Sequence, residues 1–160
     1  MFKKMTGVLA VAGAALMALV APATASVGVQ ASPHCQNDTG YHTIVGTVGS
    51  IKTLSTGDPV GTVYLCRTGT LYFAFALYEQ PMAANQWAQV WLQRFDNGSW
   101  VGEVNCDTEP GGNGNIRPGQ RRCWTPNLNG AAVRYTFRAL SEKYTTGNNL
   151  IANGATARQR

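Results

Sequence analysis

The sequence predicts an all-β fold: a single small antiparallel β-sandwich or barrel of about seven or eight strands, held by two disulfides. Three observations carry this expectation. Short runs of alternating apolar residues recur along the chain, divided by Gly, Asn, Asp and Pro, which is the punctuation of strands. One run is apolar on both faces, as a strand near the middle of a sandwich or barrel must be. Four cysteines, an even number, follow an export-type leader, the setting in which disulfides supplement the core of a small domain.

The leader is "MFKKMTGVLAVAGAALMALVAPATAS". A basic head at Lys3-Lys4 precedes an uncharged run from Gly7 to Val20, then Pro22, then the small-x-small pattern Ala23-Thr24-Ala25. This order predicts a secretory signal peptide over 1–25, cleaved after Ala25. A membrane anchor would need about 20 apolar residues, and this run is shorter. Lys3-Lys4 is not a twin arginine, and no cysteine directly follows the run, so general secretion of a protein without a lipid anchor is expected. The mature chain contains no further run able to span a membrane. Residues 26–34, "SVGVQASPH", have no periodicity and read as a disordered leader to a domain over 35–151.

Within that domain "YHTIVGTV" and "VGTVYLC" are strand candidates, with "STGDPVG" turning ahead of the second. "TLYFAFALYE", Thr70 to Glu79, is the two-faced run. Leu71, Phe73, Phe75 and Leu77 share one side, and Tyr72, Ala74, Ala76 and Tyr78 the other. "PMAANQWAQVWLQ" could compete as a helix, but its Trp and Val content and the Asp96-Asn97-Gly98 hairpin signal just beyond it favour a strand into Phe95. "SWVGEV" returns from that turn. "AAVRYTFRAL", Ala131 to Leu140, places Val133, Tyr135 and Phe137 inward and Arg134, Thr136 and Arg138 outward. The end of the chain, 152–160, has so little apolar content that a frayed tail is expected.

Four cysteines allow three pairings, of which Cys35–Cys66 with Cys106–Cys123 is favoured. Zinc is disfavoured, because no CxxC occurs and only His34 and His42 could assist. The second bridge would close a loop of the size for which chain-entropy models give roughly 3 kcal/mol.

The chemistry of the residues argues against an enzyme. Most acids sit in turns, where their side chains cap the local backbone. A glycosidase needs two carboxylates across a cleft, and nothing marks a pair such as Glu79 and Glu103. No GxSxG, HExxH or EF-hand pattern occurs, and the glycine-rich stretches lack the strand-to-helix setting of a phosphate loop. No catalytic residue, metal ligand or cofactor is expected. The formal charge of +5 falls to about +3 without Lys3 and Lys4. That is too mild, and too scattered beyond Arg121-Arg122, for a nucleic-acid partner.

Two features could bind. If Trp87 to Phe95 is a strand, Trp87, Gln89, Trp91 and Gln93 line one side, opposite Ala88, Val90 and Leu92. Rings alternating with amides could stack on sugars or anchor a protein, and Tyr72 and Tyr78 could extend that surface. The competing expectation puts the tryptophans in the core. The second feature is "CDTEPGGNGNIRPGQRRC", whose Arg117, Arg121 and Arg122 could be offered to a protease pocket by a stapled loop. Gly111, Gly112 and Gly114 suggest a loose connection instead.

The leader, the scarcity of lysine beside arginine, and "CQNDTGYHTI…GTVYLC" together resemble small secreted actinomycete proteins of the spore-associated protein A type. The resemblance covers Cys35, Gly40-Tyr41 and Gly61 to Leu65, about thirty residues. It implies a non-enzymatic, bacterial protein of the cell or spore surface. The chain departs from the resemblance at Cys106, Cys123 and the loop between them, and no functional residue is carried over. The leading expectation is therefore a secreted, non-catalytic binding module contacting an extracellular glycan or protein surface. An inhibitor of an extracellular hydrolase working through residues 107–122, and a structural protein of the cell or spore surface, are the alternatives.

Overall fold

A computed structural model describes residues 34–160. The expected signal peptide and residues 26–33 lie outside the described residues. All regular structure among them is β: β1 (Gln36–Asn37), β2 (Gly40–Tyr41), β3 (Thr43–Ile44), β4 (Gly49–Thr53), β5 (Pro59–Thr68), β6 (Leu71–Tyr78), β7 (Gln86–Asp96), β8 (Ser99–Asn105), β9 (Arg122–Trp124), β10 (Leu128–Asn129), β11 (Tyr135–Thr145) and β12 (Leu150–Ala155). β1 and β2 form a small hairpin, and the other ten strands form one antiparallel sheet. Its order is β10-β6-β5-β4-β12-β11-β7-β8, with β3 added to β5 and β9 added to β6. The sheet curls into a half-barrel rather than splitting into the two layers of a sandwich.

The two-faced run is β6, and its alternation holds as read. Tyr72, Ala74, Ala76 and Tyr78 join the inner core with Ile51, Val63, Leu65, Val90, Leu92, Phe137 and Ala139. Phe73 and Phe75 face the other way, into a second cluster with Tyr64, Cys35 and Cys66, against which Ile44, Leu77 and Trp124 pack. That outer cluster exists because residues 34–44 fold back over β5 and β6. Cys35 and Cys66 are bonded, with Cα atoms 5.7 Å apart. Beside them the His42 N–H donates to the Cys35 carbonyl (2.8 Å). His42 is half-buried, with Nε2 2.8 Å from Asn37 Oδ1 and its ring edge against Phe73.

The β7–β8 hairpin turns at Asn97 (φ 48°) and Gly98 (φ 85°), both in the left-handed region that a two-residue turn requires. Three expectations are corrected. The chain end is not frayed. β12 is an interior strand between β11 and β4, and beyond it Phe137 and Gln159 exchange two backbone hydrogen bonds (2.7 and 2.9 Å). Its residues are small because its neighbours are close: a Cβ on Gly154 would lie 2.7 Å from Ile51 Cα. Apolar content was the wrong signal for a strand held through its backbone. Val133 does not point inward. It lies before β11, in a turn, and is 75% exposed.

The stretch between Cys106 and Cys123 is likewise not a loose loop. Ile116 is fully buried and exchanges two backbone bonds with Ala88 of β7 (3.0 and 2.8 Å). Met82 N–H donates to Gln120 O, Gly119 N–H to Met82 O, and Tyr78 N–H to Arg121 O. The segment thereby runs from β7 across to β6 along the mouth of the half-barrel, anchored by one apolar residue in an otherwise polar sequence. Cys106 and Cys123 lie beside each other in the inner core as thiols. Burial, and then the neighbouring Cys106 thiol, holds Cys123 far above the ordinary thiol range.

Candidate functional site

Strand β7 has eleven residues and alternates without interruption from Trp87 to Phe95. Inside the half-barrel Ala88, Val90 and Leu92 are all fully buried, in the same core cluster as the larger Tyr78 and Phe137. The tryptophans consequently stand on the outer face. Trp87, Trp91 and Gln93 are half-buried there, and Gln89 is 8% exposed. The structure thus brings together the four residues that the sequence placed on one side. It does not extend them with Tyr72 and Tyr78. Both are buried in the inner core, Tyr72 stacked on Phe137 (4.4 Å between centroids) and Tyr78 Oη 3.0 Å from Ser141 Oγ. Burial pushes the Tyr78 phenol well above its ordinary range, opposed by its hydrogen bond to Ser141. They belong to β6, whose register sends even-numbered residues inward.

What extends the face is β11, which pairs with β7 over its full length. Tyr144 lies across from Trp87, Glu142 from Gln89, Leu140 from Trp91 and Arg138 from Gln93. Directly opposed residues share a face, so their side chains meet. Trp87 and Tyr144 stack at 4.5 Å with 16° between planes. Glu142 Oε2 accepts from Trp91 Nε1 (3.1 Å), Tyr144 Oη (2.6 Å) and Gln89 Nε2 (3.5 Å). Burial, together with the Glu142 carboxylate, pushes the Tyr144 phenol up to about 12. One carboxylate oxygen thus gathers three donors and fixes two aromatic side chains in place.

Next along the strands a second polar link crosses three of them. Arg138 Nε donates to Gln93 Oε1 (2.9 Å), and Gln93 Nε2 donates to Glu103 Oε2 of β8 (2.9 Å). Beyond it Phe95 lies beneath the Arg158 guanidinium, 3.7 Å from the ring centre, while Arg158 Nη1 donates to Gly98 O (3.0 Å). Trp100, across from Phe95, is 58% exposed. Glu142, Tyr144, Arg138 and Trp100 were not among the residues singled out from the sequence. Continuing the alternation of Ala131 to Leu140 for two more steps would have reached Glu142 and Tyr144, but their place beside β7 rests on a pairing between strands some fifty residues apart.

The loop arginines are dispersed along the crossing segment. Arg117 is exposed in a turn, where its N–H donates to Gln120 Oε1 (2.9 Å). Arg121 and Arg122 are exposed on the outer side of the segment, with Arg122 across from Leu77 in the sheet. The Arg121 carbonyl is already bonded to β6, so this backbone is not extended and free for a protease to pair with.

The outer face offers flat rings, amides, a guanidinium and one oriented carboxylate. Among the described residues no group of three or more His, Cys, Asp or Glu is placed to hold a metal ion. The chain matches no protein-family model, no curated protein and no solved structure.

Proposed function

We propose that the protein is an exported, non-catalytic binding module that contacts extracellular glycan through the outer face of β7 and β11. The arrangement around Glu142 carries this reading. Its three donors hold Trp91 and the Trp87–Tyr144 pair in a single outward row, so little side-chain freedom remains to be lost on binding. Sugars present apolar ring faces edged with hydroxyls, and alternating rings and amides match that pattern. A closed polar network on a fixed strand pair also suits a surface whose role is contact rather than turnover.

We infer further that Cys106 and Cys123 are joined in the exported protein, giving it two disulfides. Their adjacency in the core supports this, as does the bonded Cys35–Cys66 pair in the same chain. Thiol titration of secreted, unreduced protein should then find no reactive cysteine even after denaturation, and two free thiols would refute it.

The glycan reading is tested by co-sedimentation with insoluble neutral polysaccharides and by tryptophan fluorescence. Wild-type protein should pellet with at least one polysaccharide, and Trp91→Ala should stay in the supernatant while keeping its β-sheet circular dichroism. Unaltered pelleting of Trp91→Ala would remove this face from the account. Retention by protein-coated but not polysaccharide-coated matrices, lost in the same variant, would replace glycan with a protein partner.

A further inference from the structure

The exposed guanidiniums of Arg121 and Arg122 lie far from the Glu142 row in the strand order, on the outer side of β6 and β9. They border two cavities at once. One, of about 450 Å³, is lined by His34, Phe75, Leu77 and the two arginines. The other, of about 330 Å³, is lined by Asn113, Gly119, Gln120, Trp124 and the same two arginines. Because the arginines are common to both, the cavities adjoin across a pair of positive charges, and we treat them as one groove.

No acidic side chain among the described residues pairs with that charge. Among the described residues the one ion pair is Arg134–Asp96 (3.0 Å). Arg122 Nη1 donates to Gln36 Oε1 (3.0 Å), a neutral acceptor that orients the guanidinium without cancelling it. His34 and Trp124 line the two cavities, and the buried His34 Nδ1 and Trp124 Nε1 have no hydrogen-bond partner among the described residues.

The groove is rigid where it matters. Arg122 is a strand residue paired with Leu77, and Arg121 O accepts from Tyr78 N–H (2.8 Å). On the other wall Asn113 Oδ1 accepts from Trp124 N–H (2.7 Å), and Asn113 N–H donates to Trp124 O (3.4 Å). His34 is stacked on Tyr64 (5.4 Å, 16°). Half-buried Leu77 adds apolar surface to one half. Donors at the centre, apolar surface beside them and two open ends describe a site for a chain that bears negative charge on a partly apolar body.

We propose that this groove binds an anionic glycan chain, with Arg121 and Arg122 on its carboxylate or phosphate group and the sugar body along Leu77 and Trp124. Guanidinium forks favour these planar or tetrahedral oxyanions over single point charges. The site is separate from the β7–β11 face and does not depend on it.

The test uses the mature protein and three soluble polymers: polygalacturonate for carboxylate, poly(glycerol phosphate) for phosphate, and uncharged dextran. Binding is measured by titration calorimetry at low and at moderate salt. One charged polymer or both should bind and dextran should not bind here, with affinity falling steeply as salt rises. Which of the two binds identifies the anionic group. Arg121→Ala with Arg122→Ala should weaken binding roughly a hundredfold, two charge-assisted contacts at about tenfold each. The corresponding double lysine variant should recover part of it. Both side chains are exposed, and beyond their backbone bonds only the exposed Arg122 Nη1–Gln36 Oε1 contact is lost, so the variants should nearly keep the wild-type melting temperature. Trp91→Ala should bind the charged polymers as wild type does, which separates this site from the other. The proposal is overturned if neither charged polymer binds at low salt or if the double alanine variant binds equally well. It is also overturned if single-stranded DNA displaces the polymer at lower concentration than the polymer itself.

Discussion

The outer faces of β5–β6 and of β7–β11 are both rich in aromatic residues, yet they end in opposite states. On β5–β6, Tyr64, Phe73 and Phe75 are covered by residues 34–44 and buried to 6% exposure or less. On β7–β11, Trp87, Trp91 and Tyr144 stay half-exposed, and Glu142 ties them together. The composition of the two faces foretells part of this. Phenylalanine has no polar atom to satisfy and belongs under a cover, whereas indole N–H and phenol O–H can be satisfied at a wet surface by a carboxylate. A chain segment held by a disulfide is what turns the first face into core.

The contrast can be broken most forcefully at that disulfide. Replacing both Cys35 and Cys66 by alanine removes a cross-link between residues 31 apart, for which the chain-entropy model gives about 4 kcal/mol. The thermal midpoint should fall by roughly 10–20 °C, with the dye-binding increase expected of newly exposed aromatic surface. A fall of only a degree or two would mean that residues 34–44 do not hold the cover in place.

Next in size is a matched pair of truncations. Phe75→Ala on the covered face should cost about 3–5 kcal/mol in urea unfolding, as large buried aromatics do. Trp91→Ala on the uncovered face should cost about 1 kcal/mol, because the ring is half in water and loses one hydrogen bond. Equal costs would erase the distinction between the faces.

Glu142→Gln is smaller still. Its amide oxygen can still accept from Trp91 and Tyr144, but without charge assistance, and about 1 kcal/mol should be lost. Trp91 emission should shift toward the red as its ring loosens. An unshifted spectrum would deny Glu142 its organising role.

The smallest effect is one of pH. The Tyr144 phenol is raised in the folded protein to about 12, from an ordinary value of 10.0. Folding therefore favours its neutral form. This contribution is intact below pH 10 and disappears as pH climbs through about 12. Tryptophan emission followed over that interval should change more in wild type than in Tyr144→Phe. Identical curves would show that Tyr144 is not coupled to the row.

Much of the fold could be read from local pattern. The two-sided alternation of Leu71–Tyr78, the turn at Asn97-Gly98 and the odd–even division of Trp87–Phe95 all hold in three dimensions, because side-chain alternation is fixed by the backbone itself. β12 was missed, since Ala, Asn and Gly carry no apolar signal and the strand is held by hydrogen bonds on both sides. The crossing segment was missed for a related reason: Ile116 alone anchors it, and one residue makes no period. In the outer row, the alternation placed Trp87, Gln89, Trp91 and Gln93 together. Glu142 and Tyr144 joined them through pairing with a strand distant in sequence.

The sequence by itself determined which residues share a side of each strand, where the tight turn falls, and that Cys35 has partners to choose from. Tertiary structure alone decided which side faces inward. That choice depends on volume: the inner core that β7 joins already holds Tyr72, Tyr78 and Phe137, so the small side of that strand turns in and the tryptophans turn out. No local pattern contains this, because it is set by side chains of other strands, β6 and β11, that meet those of β7 only in the folded sheet.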